Sequence, residues 1–227
     1  MTTSCWAVVV AAGRGERFGG DRPKALLQLA GTALVVHAVR ALRDGGCAGI
    51  VVAAPAELIL AVTGLLPDPD ITVVPGGATR QLSVQSALAV VPVDVRWVLV
   101  HDAARPLVPP AVVVAVRVAL ADGAAAVSPV LPVVDTLKFV SSAGVITGTV
   151  DRSGLARAQT PQGFERDLLV RALDESLRAG REVTDDAAAV AALGVPVLTV
   201  PGDERGLKIT TPADLLVAEA LLAGSSP

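Results

Sequence analysis

The sequence is poor in cysteine, histidine, lysine and aromatic residues. The scarcity of cysteine and histidine argues against a protein built around a metal site. The two cysteines, Cys5 and Cys47, lack the spacing of a zinc site. The two histidines, His37 and His101, are too far apart along the chain to indicate a metal cluster. We expect both thiols to be buried and reduced, which favours a cytoplasmic protein.

The chain also lacks long apolar runs and a strong charge of either sign. No run reaches the roughly 18 residues of a membrane span, and the first residues carry no basic segment, so we expect neither a membrane anchor nor a signal peptide. A net charge of -3 argues against a non-specific nucleic-acid-binding protein. Since no linker or repeat interrupts the 227 residues, residues 1–227 are predicted to form a single domain.

Lysine is the rarest of the common charged residues. Lys24, Lys138 and Lys208 are the only lysines, whereas the remainder of the 19 basic residues are arginine. Because the composition prefers arginine, each lysine is a candidate for a role that suits a compact ammonium group. For Lys138, which lies in an apparent exposed strand, retention by chance is an equal alternative.

Buried β-branched runs alternate with helical patterns in the first part of the chain. The predicted strands after the opening run at 8–10 are 50–54, 71–74, 97–100 and 125–130, and the predicted helices between them are 32–43, 57–66, 79–90 and 109–122. This order predicts an α/β, Rossmann-like, mostly parallel twisted sheet with helices on both faces.

Unusual residues follow three of these strands, where such sheets bind their ligands. The glycine-rich stretch 11–24 carries Arg17 and Lys24, and it matches neither the P-loop nor the dinucleotide fingerprint. A glycine nest beside two cations favours a polyphosphate ligand, and a plain strand-to-helix turn is the alternative. Since the other loops carry Gly76–Gly77 and Asp102, we expect all three to converge at one sheet edge.

From residue 131 the pattern changes to a β-hairpin without an intervening helix. We interpret residues 132–152 as a protruding β-arm for a second subunit, and a hairpin lying on its own sheet is the alternative. Further along, the sequence predicts a helix at 166–178, a helix N-cap at 184–186, a strand at 197–200, an edge strand at 203–209 and a last helix beginning at Thr211-Pro212.

Three motifs together carry a family resemblance: Ala11-Ala12-Gly13-x-Gly15 with Pro23-Lys24, Gly76-Gly77-x-x-Arg80-x-x-Ser83-Val84, and His101-Asp102-Ala103-Ala104-Arg105-Pro106. Later segments continue it: Asp135-Thr136-x-Lys138, Asp151-Arg152, Thr160-Pro161-Gln162, Thr184-Asp185 and Leu207-Lys208-Ile209-Thr210. Over nearly its whole length the chain resembles the 2-C-methyl-D-erythritol 4-phosphate cytidylyltransferase family.

The resemblance implies that CTP and the methylerythritol phosphate give a cytidine diphosphate sugar alcohol and pyrophosphate, with Mg²⁺ or another divalent cation. It also implies a homodimer with interlocking arms. The implied catalytic residues are Arg17 and Lys24, which stabilise the transition state, and Arg152 and Lys208, which position the sugar phosphate. The implied CTP contacts are Ala11, Ala12, Gly13, Gly15, Gly76, Gly77, Arg80 and Ser83, and the implied polyol contacts are Asp102, Arg105, Thr136 and Thr184.

Several alternatives stay open from the sequence. Asp102 binds the metal through water, accepts a substrate hydroxyl or caps the following loop, and the metal is otherwise held by the CTP phosphates. Arg80 either contacts CTP or anchors its loop. A ribitol 5-phosphate cytidylyltransferase would share the CTP half of the site. A nicotinamide-binding oxidoreductase would need an acid after the second strand, where the chain has Ala54-Pro55. A non-catalytic nucleotide-binding regulator would not need Lys24 and Lys208.

Overall fold

The structure is a computed structural model that describes residues 4–13 and 26–224. In chain order its strands are β1 Cys5–Val10, β2 Gln28–Leu29, β3 Thr32–Ala33, β4 Gly49–Ala54, β5 Ile71–Pro75, β6 Trp97–Asp102, β7 Ala126–Pro132, β8 Lys138–Val140, β9 Ile146–Thr149, β10 Ala156–Ala158, β11 Gln162–Glu165 and β12 Leu198–Pro201. Its helices are α1 Leu34–Asp44, α2 Ile59–Leu65, α3 Arg80–Leu88, α4 Pro110–Ala121, α5 Arg166–Arg178, α6 Asp186–Ala191 and α7 Pro212–Ala223.

Within the described residues, an eight-stranded sheet forms the centre of the molecule. Its strand order is β10-β7-β11-β6-β1-β4-β5, and β12 also pairs with β7. The pairs β6–β1, β1–β4, β4–β5 and β7–β12 are parallel, whereas β11 runs antiparallel to both β6 and β7. The predicted α/β, mostly parallel sheet is therefore confirmed.

Helices cover both faces of this sheet. Successive side chains of a strand point to opposite faces, and each face packs against its own set of helices. In β1, Ala7 and Val9 belong to one apolar cluster, packed with α1 and α4, and Val8 belongs to another, packed with α3, α5 and α6. Every residue of β4 and β6 is buried, as expected for central strands covered on both sides.

The predicted edge strand at 203–209 is wrong. Residues Glu204–Gly206 form a single turn of 3₁₀-helix instead. The Asp203 side chain accepts a hydrogen bond from Arg205 N at 2.8 Å, which favours a turn over an extended strand.

The predicted hairpin is confirmed, since β8 and β9 pair antiparallel outside the main sheet. Six large apolar side chains of residues 132–152 are more than a third exposed: Val134, Leu137, Phe139, Val140, Val145 and Ile146. The chain leaves the sheet and rejoins it at neighbouring positions, because Pro132 in β7 pairs with Ala156 in β10.

Two further expectations concern the whole chain. No helix in the described residues is long and apolar enough to cross a membrane. Cys5 and Cys47 are buried free thiols, as predicted.

Candidate active site

The loops after β1 and β6 begin side by side at the carboxyl edge of the sheet. Ala11 N donates to Ala53 O at the end of β4 over 2.8 Å, and Ala103 N donates to Val10 O over 3.1 Å. The backbone of the first loop is thereby fixed between two neighbouring strands.

The glycines after β5 are required by close packing, Gly76 against the first loop and Gly77 against α3. Gly76 N donates to Ala54 O over 2.8 Å, and a Cβ on Gly76 would lie 2.5 Å from Ala12 Cβ. A Cβ on Gly77 would lie 2.3 Å from Leu82 Cβ. All three loops therefore converge at one edge of the sheet, as predicted, and the loops after β1 and β5 touch there.

Ser83 organises the loop that carries these glycines. Its buried hydroxyl accepts from Gly77 N at 3.1 Å and donates to Thr79 O at 2.9 Å. Thr79 in turn caps α3 by accepting from Leu82 N at 3.2 Å. The loop is thus tied to the first turn of α3, which begins at Arg80.

Four charged side chains form a network at the end of β6. Asp102 Oδ1 accepts from Arg80 Nε at 3.1 Å, and Asp102 Oδ2 accepts from Lys208 Nζ at 2.7 Å. On its far side, Arg80 Nη2 lies 2.8 Å from Oδ2 of Asp186. Two carboxylates thus face two cations, and one guanidinium is shared between both carboxylates.

Charge pairing decides the protonation states in this network. Burial alone would raise the pKa of Asp102, but Arg80 and Lys208 outweigh burial and hold that pKa well below its usual value. Burial alone would lower the pKa of Arg80, but Asp186 and Asp102 raise it. At neutral pH the site therefore holds an ionised Asp102 against a permanently charged Arg80.

Arg105 fixes the segment that carries Lys208. Its Nη1 donates to Gly206 O at 2.7 Å and its Nη2 donates to Ala158 O at 3.3 Å. Although Arg105 was predicted to contact the polyol, its guanidinium here also holds two protein segments together.

Gln159 clamps the same segment, and the sequence held no signal for this role. Its Oε1 accepts from Asp203 N at 3.0 Å, and its Nε2 donates to Asp203 O at 2.9 Å. A Cβ on Gly202 would lie 2.3 Å from Gln159 Oε1. The amide therefore completes the hydrogen bonding of a turn that approaches it too closely for a side chain.

The predicted N-cap before α6 is confirmed. Asp185 Oδ1 accepts from Ala188 N at 2.8 Å, and Asp185 Oδ2 accepts from Gln162 Nε2 at 2.8 Å. Gln162 Oε1 also accepts from Ala187 N at 3.1 Å. These bonds fix the start of α6 next to β11, which brings Thr184 to the same side as Asp102.

A cavity of about 180 Å³ opens between these elements. Its lining combines two carboxylates, three cations and several neutral hydrogen-bonding groups, as a phosphorylated polyol would require. The lining residues are Arg80, Asp102, Arg105, Ala158, Gln159, Thr160, Gln162, Thr184, Asp185 and Lys208. Among the sequence-predicted site residues, the structure brings Arg80, Asp102, Arg105, Thr184 and Lys208 together here.

Other predicted site residues lie elsewhere. Thr136 and Arg152 are exposed on the arm, Arg152 Nη1 donates to Val134 O, and neither residue lines the cavity. Gly15, Arg17 and Lys24 lie outside the described residues.

His101 organises the loop after β6 from beneath. Its fully buried ring places Nδ1 2.9 Å from Thr160 Oγ1 and Nε2 3.1 Å from Arg105 O, while Asp102 N donates to Thr160 Oγ1 at 3.1 Å. A neutral ring protonated at Nε2, the tautomer that fits these partners, donates to the Arg105 carbonyl and accepts from the Thr160 hydroxyl. Burial lowers the pKa of His101 to about 4.

Acidification is therefore expected to destabilise the protein through His101. Its pKa falls from the ordinary value of 6.5 to about 4 in the fold, so between these two pH values the unfolded chain binds a proton that the folded chain does not. Stability then decreases as the pH falls through this window, by about 2.5 kcal/mol between pH 7 and pH 4.5. Between pH 7 and pH 4.5, the free energy of unfolding measured in urea should therefore fall by about 2.5 kcal/mol more in the wild type than in His101→Gln. An equal fall in both proteins would contradict this role of His101.

Comparison with known proteins points to one family. The model of the family described as 2-C-methyl-D-erythritol 4-phosphate cytidylyltransferase matches residues 5–224. Curated proteins of that name from Frankia casuarinae and Saccharopolyspora erythraea are each 52% identical to the chain. The first alignment covers 97% of this chain and 82% of the relative, and the second covers 96% and 98%.

Solved structures agree. The crystal structure of 2-C-methyl-D-erythritol 4-phosphate cytidylyltransferase from Thermus thermophilus superposes with a TM-score of 0.79 at 37% identity. The alignment covers 95% of this chain and 98% of the Thermus chain. The 4-diphosphocytidyl-2C-methyl-D-erythritol synthase from Anaerococcus prevotii has a TM-score of 0.84 and 25% identity, and covers 97% of this chain and 99% of its own.

Proposed function

The chain belongs to the 2-C-methyl-D-erythritol 4-phosphate cytidylyltransferase family, and from that membership we propose how its site performs the family reaction. The protein is a cytidylyltransferase, a nucleotidyltransferase that converts CTP and 2-C-methyl-D-erythritol 4-phosphate to 4-diphosphocytidyl-2-C-methyl-D-erythritol and pyrophosphate in isoprenoid precursor biosynthesis. Among the structural observations, the Asp102–Lys208 pair at the carboxyl edge of the sheet gives the proposed mechanism its strongest support.

The nucleotide half of the proposed site combines backbone groups with two cationic side chains. We assign the cytidine to the loop Gly76–Gly77, whose peptide groups can read the amino group, N3 and O2 of cytosine. The triphosphate is assigned to Ala11–Gly13, Gly15 and the cations Arg17 and Lys24. A Cβ on Gly76 would lie 2.5 Å from Ala12 Cβ, so the two loops adjoin, which supports placing the cytidine next to the triphosphate.

The attacking group is an oxygen of the polyol phosphate. A phosphate monoester has a second pKa of about 6, so it is largely a dianion at neutral pH and needs no general base. It forms a new P–O bond to the α-phosphorus of CTP while the bond to the bridging oxygen of the β-phosphate breaks, and pyrophosphate leaves. The main obstacle is repulsion between anions, and fixed cations such as Lys208 reduce it.

Asp102 and Thr184 are assigned to the polyol hydroxyls. The ionised carboxylate of Asp102 is an acceptor with two oxygens, and its cation partners keep it ionised when it is shielded from water. The Thr184 side chain faces the same cavity. Arg105 is proposed to contribute mainly by holding the segment of Lys208, because its guanidinium bonds Gly206 O and Ala158 O.

Mg²⁺ is proposed as the metal, held chiefly by the CTP phosphates. Mg²⁺ is commonly bound by one or two carboxylates together with substrate phosphates, and Asp102 is a carboxylate of the cavity that fits this use. Both of its oxygens pair with cations, so coordination through Oδ2 would require Lys208 to move away. When bound, the metal offsets charge on the triphosphate.

We also propose a cytoplasmic homodimer in which Thr136 and Arg152 serve the partner's site. Both residues are exposed on the arm, and neither lines the cavity of their own chain. The exposed apolar side chains of the arm support an interface there. The buried free thiols of Cys5 and Cys47 support the cytoplasm.

The dimer proposal predicts that a charge on the arm separates the subunits. Phe139→Asp replaces a 59% exposed ring with a carboxylate that must be desolvated, and is expected to weaken association about a hundredfold or more. Sedimentation should give about twice the 22.9 kDa chain mass for the wild type and a monomer for the variant. Leu60→Asp, at an 88% exposed position of α2, is the matched control. A wild-type monomer, or a dimeric Phe139→Asp, would refute the arm interface.

Pyrophosphate release tests the reaction itself. Purified protein is assayed with each of the four nucleoside triphosphates, with methylerythritol phosphate and with ribitol 5-phosphate, in the presence of Mg²⁺ or of a chelator. We expect release only with CTP, methylerythritol phosphate and metal. Faster release with ribitol 5-phosphate would instead favour the alternative cytidylyltransferase activity.

A further inference from the structure

Asp186 is a buried carboxylate for which helix capping gives no explanation. It is fully buried, with 0% of its surface exposed, and lies behind the cavity rather than on its lining. The capping of α6 is already done by Asp185. Among the described residues, neither oxygen of Asp186 has a well-aligned hydrogen-bond partner, although Oδ2 forms the 2.8 Å ion pair with Arg80 Nη2. Burying a carboxylate in this way is costly, so a compensating role is expected.

We propose that Asp186 is a positioning residue of the cytidylyltransferase reaction, which acts through the guanidinium of Arg80 to hold Asp102 in place at the cavity. The inference rests on the proposed function in one respect, namely that Asp102 contacts the polyol phosphate. Asp186 itself touches no substrate.

The geometry of Arg80 transmits this effect. A guanidinium is planar, with its donors in fixed directions, so its Nη2 contact with Asp186 determines where its Nε–H points. That Nε–H donates to Asp102 Oδ1 at 3.1 Å. The Arg80 side chain is 27% exposed on the cavity side, so without Asp186 it is free to turn toward solvent or toward a bound phosphate.

The two cations of Asp102 then have different tasks. Lys208 is 41% exposed at its side chain, and a substrate phosphate can draw it away from Asp102. The same phosphate attracts Arg80, but Asp186 holds Arg80 from the opposite side. Asp186 therefore keeps one cation on Asp102 while the other is engaged by the substrate, so that the Asp102 carboxylate stays ionised and oriented.

The first test is the kinetic effect of Asp186→Asn, which keeps the shape of the side chain and removes its charge. We expect kcat/KM for the polyol phosphate to fall about tenfold to a hundredfold, with the KM for CTP within about twofold of the wild type. The matched control is Asp70→Asn, because Arg43 bridges Asp68 and Asp70 on the surface at 2.8 and 2.7 Å in the same carboxylate–guanidinium–carboxylate arrangement. The control should be unchanged; an unchanged Asp186→Asn, or an equal loss for both substrates, would overturn the proposal.

A double-mutant cycle separates positioning from a purely structural role. If Asp186 acts through Asp102, the double variant should have a kcat/KM for the polyol phosphate less than about threefold below that of Asp102→Asn alone. If the loss in the double variant equals the product of the losses in the two single variants, the residues act independently and the inference is contradicted. Should Asp186→Asn fail to fold, Arg80→Lys provides the same comparison, because one ammonium group cannot bridge Asp186 and Asp102 as the guanidinium does.

A measurement without turnover distinguishes failure of this inference from failure of the proposed function. Exchange of the Arg80 Nε–H with solvent, followed by ¹H–¹⁵N NMR, should be slow in the wild type and clearly faster in Asp186→Asn. Equal exchange in both proteins would overturn the tether even if the enzyme is active. A wild type that releases no pyrophosphate would refute the function, whereas the exchange comparison would still decide whether Asp186 fixes Arg80.

Discussion

Replacing Lys208 with alanine is expected to lower kcat/KM for the polyol phosphate by about two to three orders of magnitude, the usual loss for one fixed group that stabilises developing charge. The Lys208 ammonium is held 2.7 Å from Asp102 Oδ2 and its side chain is 41% exposed toward the cavity. It is therefore both localised and reachable by a phosphate. Without Lys208, one fewer fixed cation offsets the repulsion between the dianionic polyol phosphate and CTP, which carries about four negative charges. Pyrophosphate release at saturating CTP measures the loss.

Arg205→Ala is the control for this variant. Arg205 is an exposed cation in the same segment, three residues before Lys208, so its removal changes the local charge without changing the cavity lining. Its rate should stay close to that of the wild type. A Lys208→Ala enzyme that turns over within about threefold of the wild type would remove the role assigned to Lys208.

Lys24→Ala is expected to have the larger effect, about a thousandfold or more in kcat. Lys24 lies outside the described residues, and the expectation comes from its place in the glycine-rich stretch that follows β1 at the triphosphate end of the proposed site. A cation there opposes the charge that develops on the departing pyrophosphate, which is present only as the bond breaks. The loss should therefore appear in kcat more than in the KM for CTP.

Lys24→Arg sharpens this test. The chain uses arginine for most of its basic residues, so a lysine at this position indicates a need for a compact ammonium group. We expect Lys24→Arg to remain at least tenfold slower than the wild type although the charge is kept. Full activity in Lys24→Arg would show that charge alone suffices, and full activity in Lys24→Ala would exclude the catalytic role.

Much of the fold could be predicted because its central strands are continuous apolar segments of the sequence. Sequence periodicity located β1, β4, β5, β6 and the helices between them, and β4 and β6 are buried along their whole length. It did not locate β11, Gln162–Glu165, which lies between β6 and β7. This strand contains a buried glutamine and a glycine in place of an apolar run. Its pairing with two other strands, not its own composition, makes it a strand.

The sequence predicted several charged residues that line the cavity, but it did not predict the residues that hold them in place. Asp102 was singled out because it stands at the end of a buried strand, and Lys208 because lysine is rare in the composition. The roles of Asp186 and Gln159 depend on contacts with residues more than 40 positions away, Arg80 and Asp203 respectively. No local pattern encodes such contacts, so only the folded chain reveals which polar residues hold the site together.

The way in which the arm joins the sheet makes it a modular insertion. The chain leaves the sheet at Pro132 and returns to it at Ala156, and these two residues pair, so topologically the arm is one long excursion from a hairpin connection between β7 and β10. Its length and sequence can change in evolution without altering the register of any strand in the sheet. For the same reason, a two-residue turn that joins β7 directly to β10 is the natural starting point for engineering a protomer without the arm.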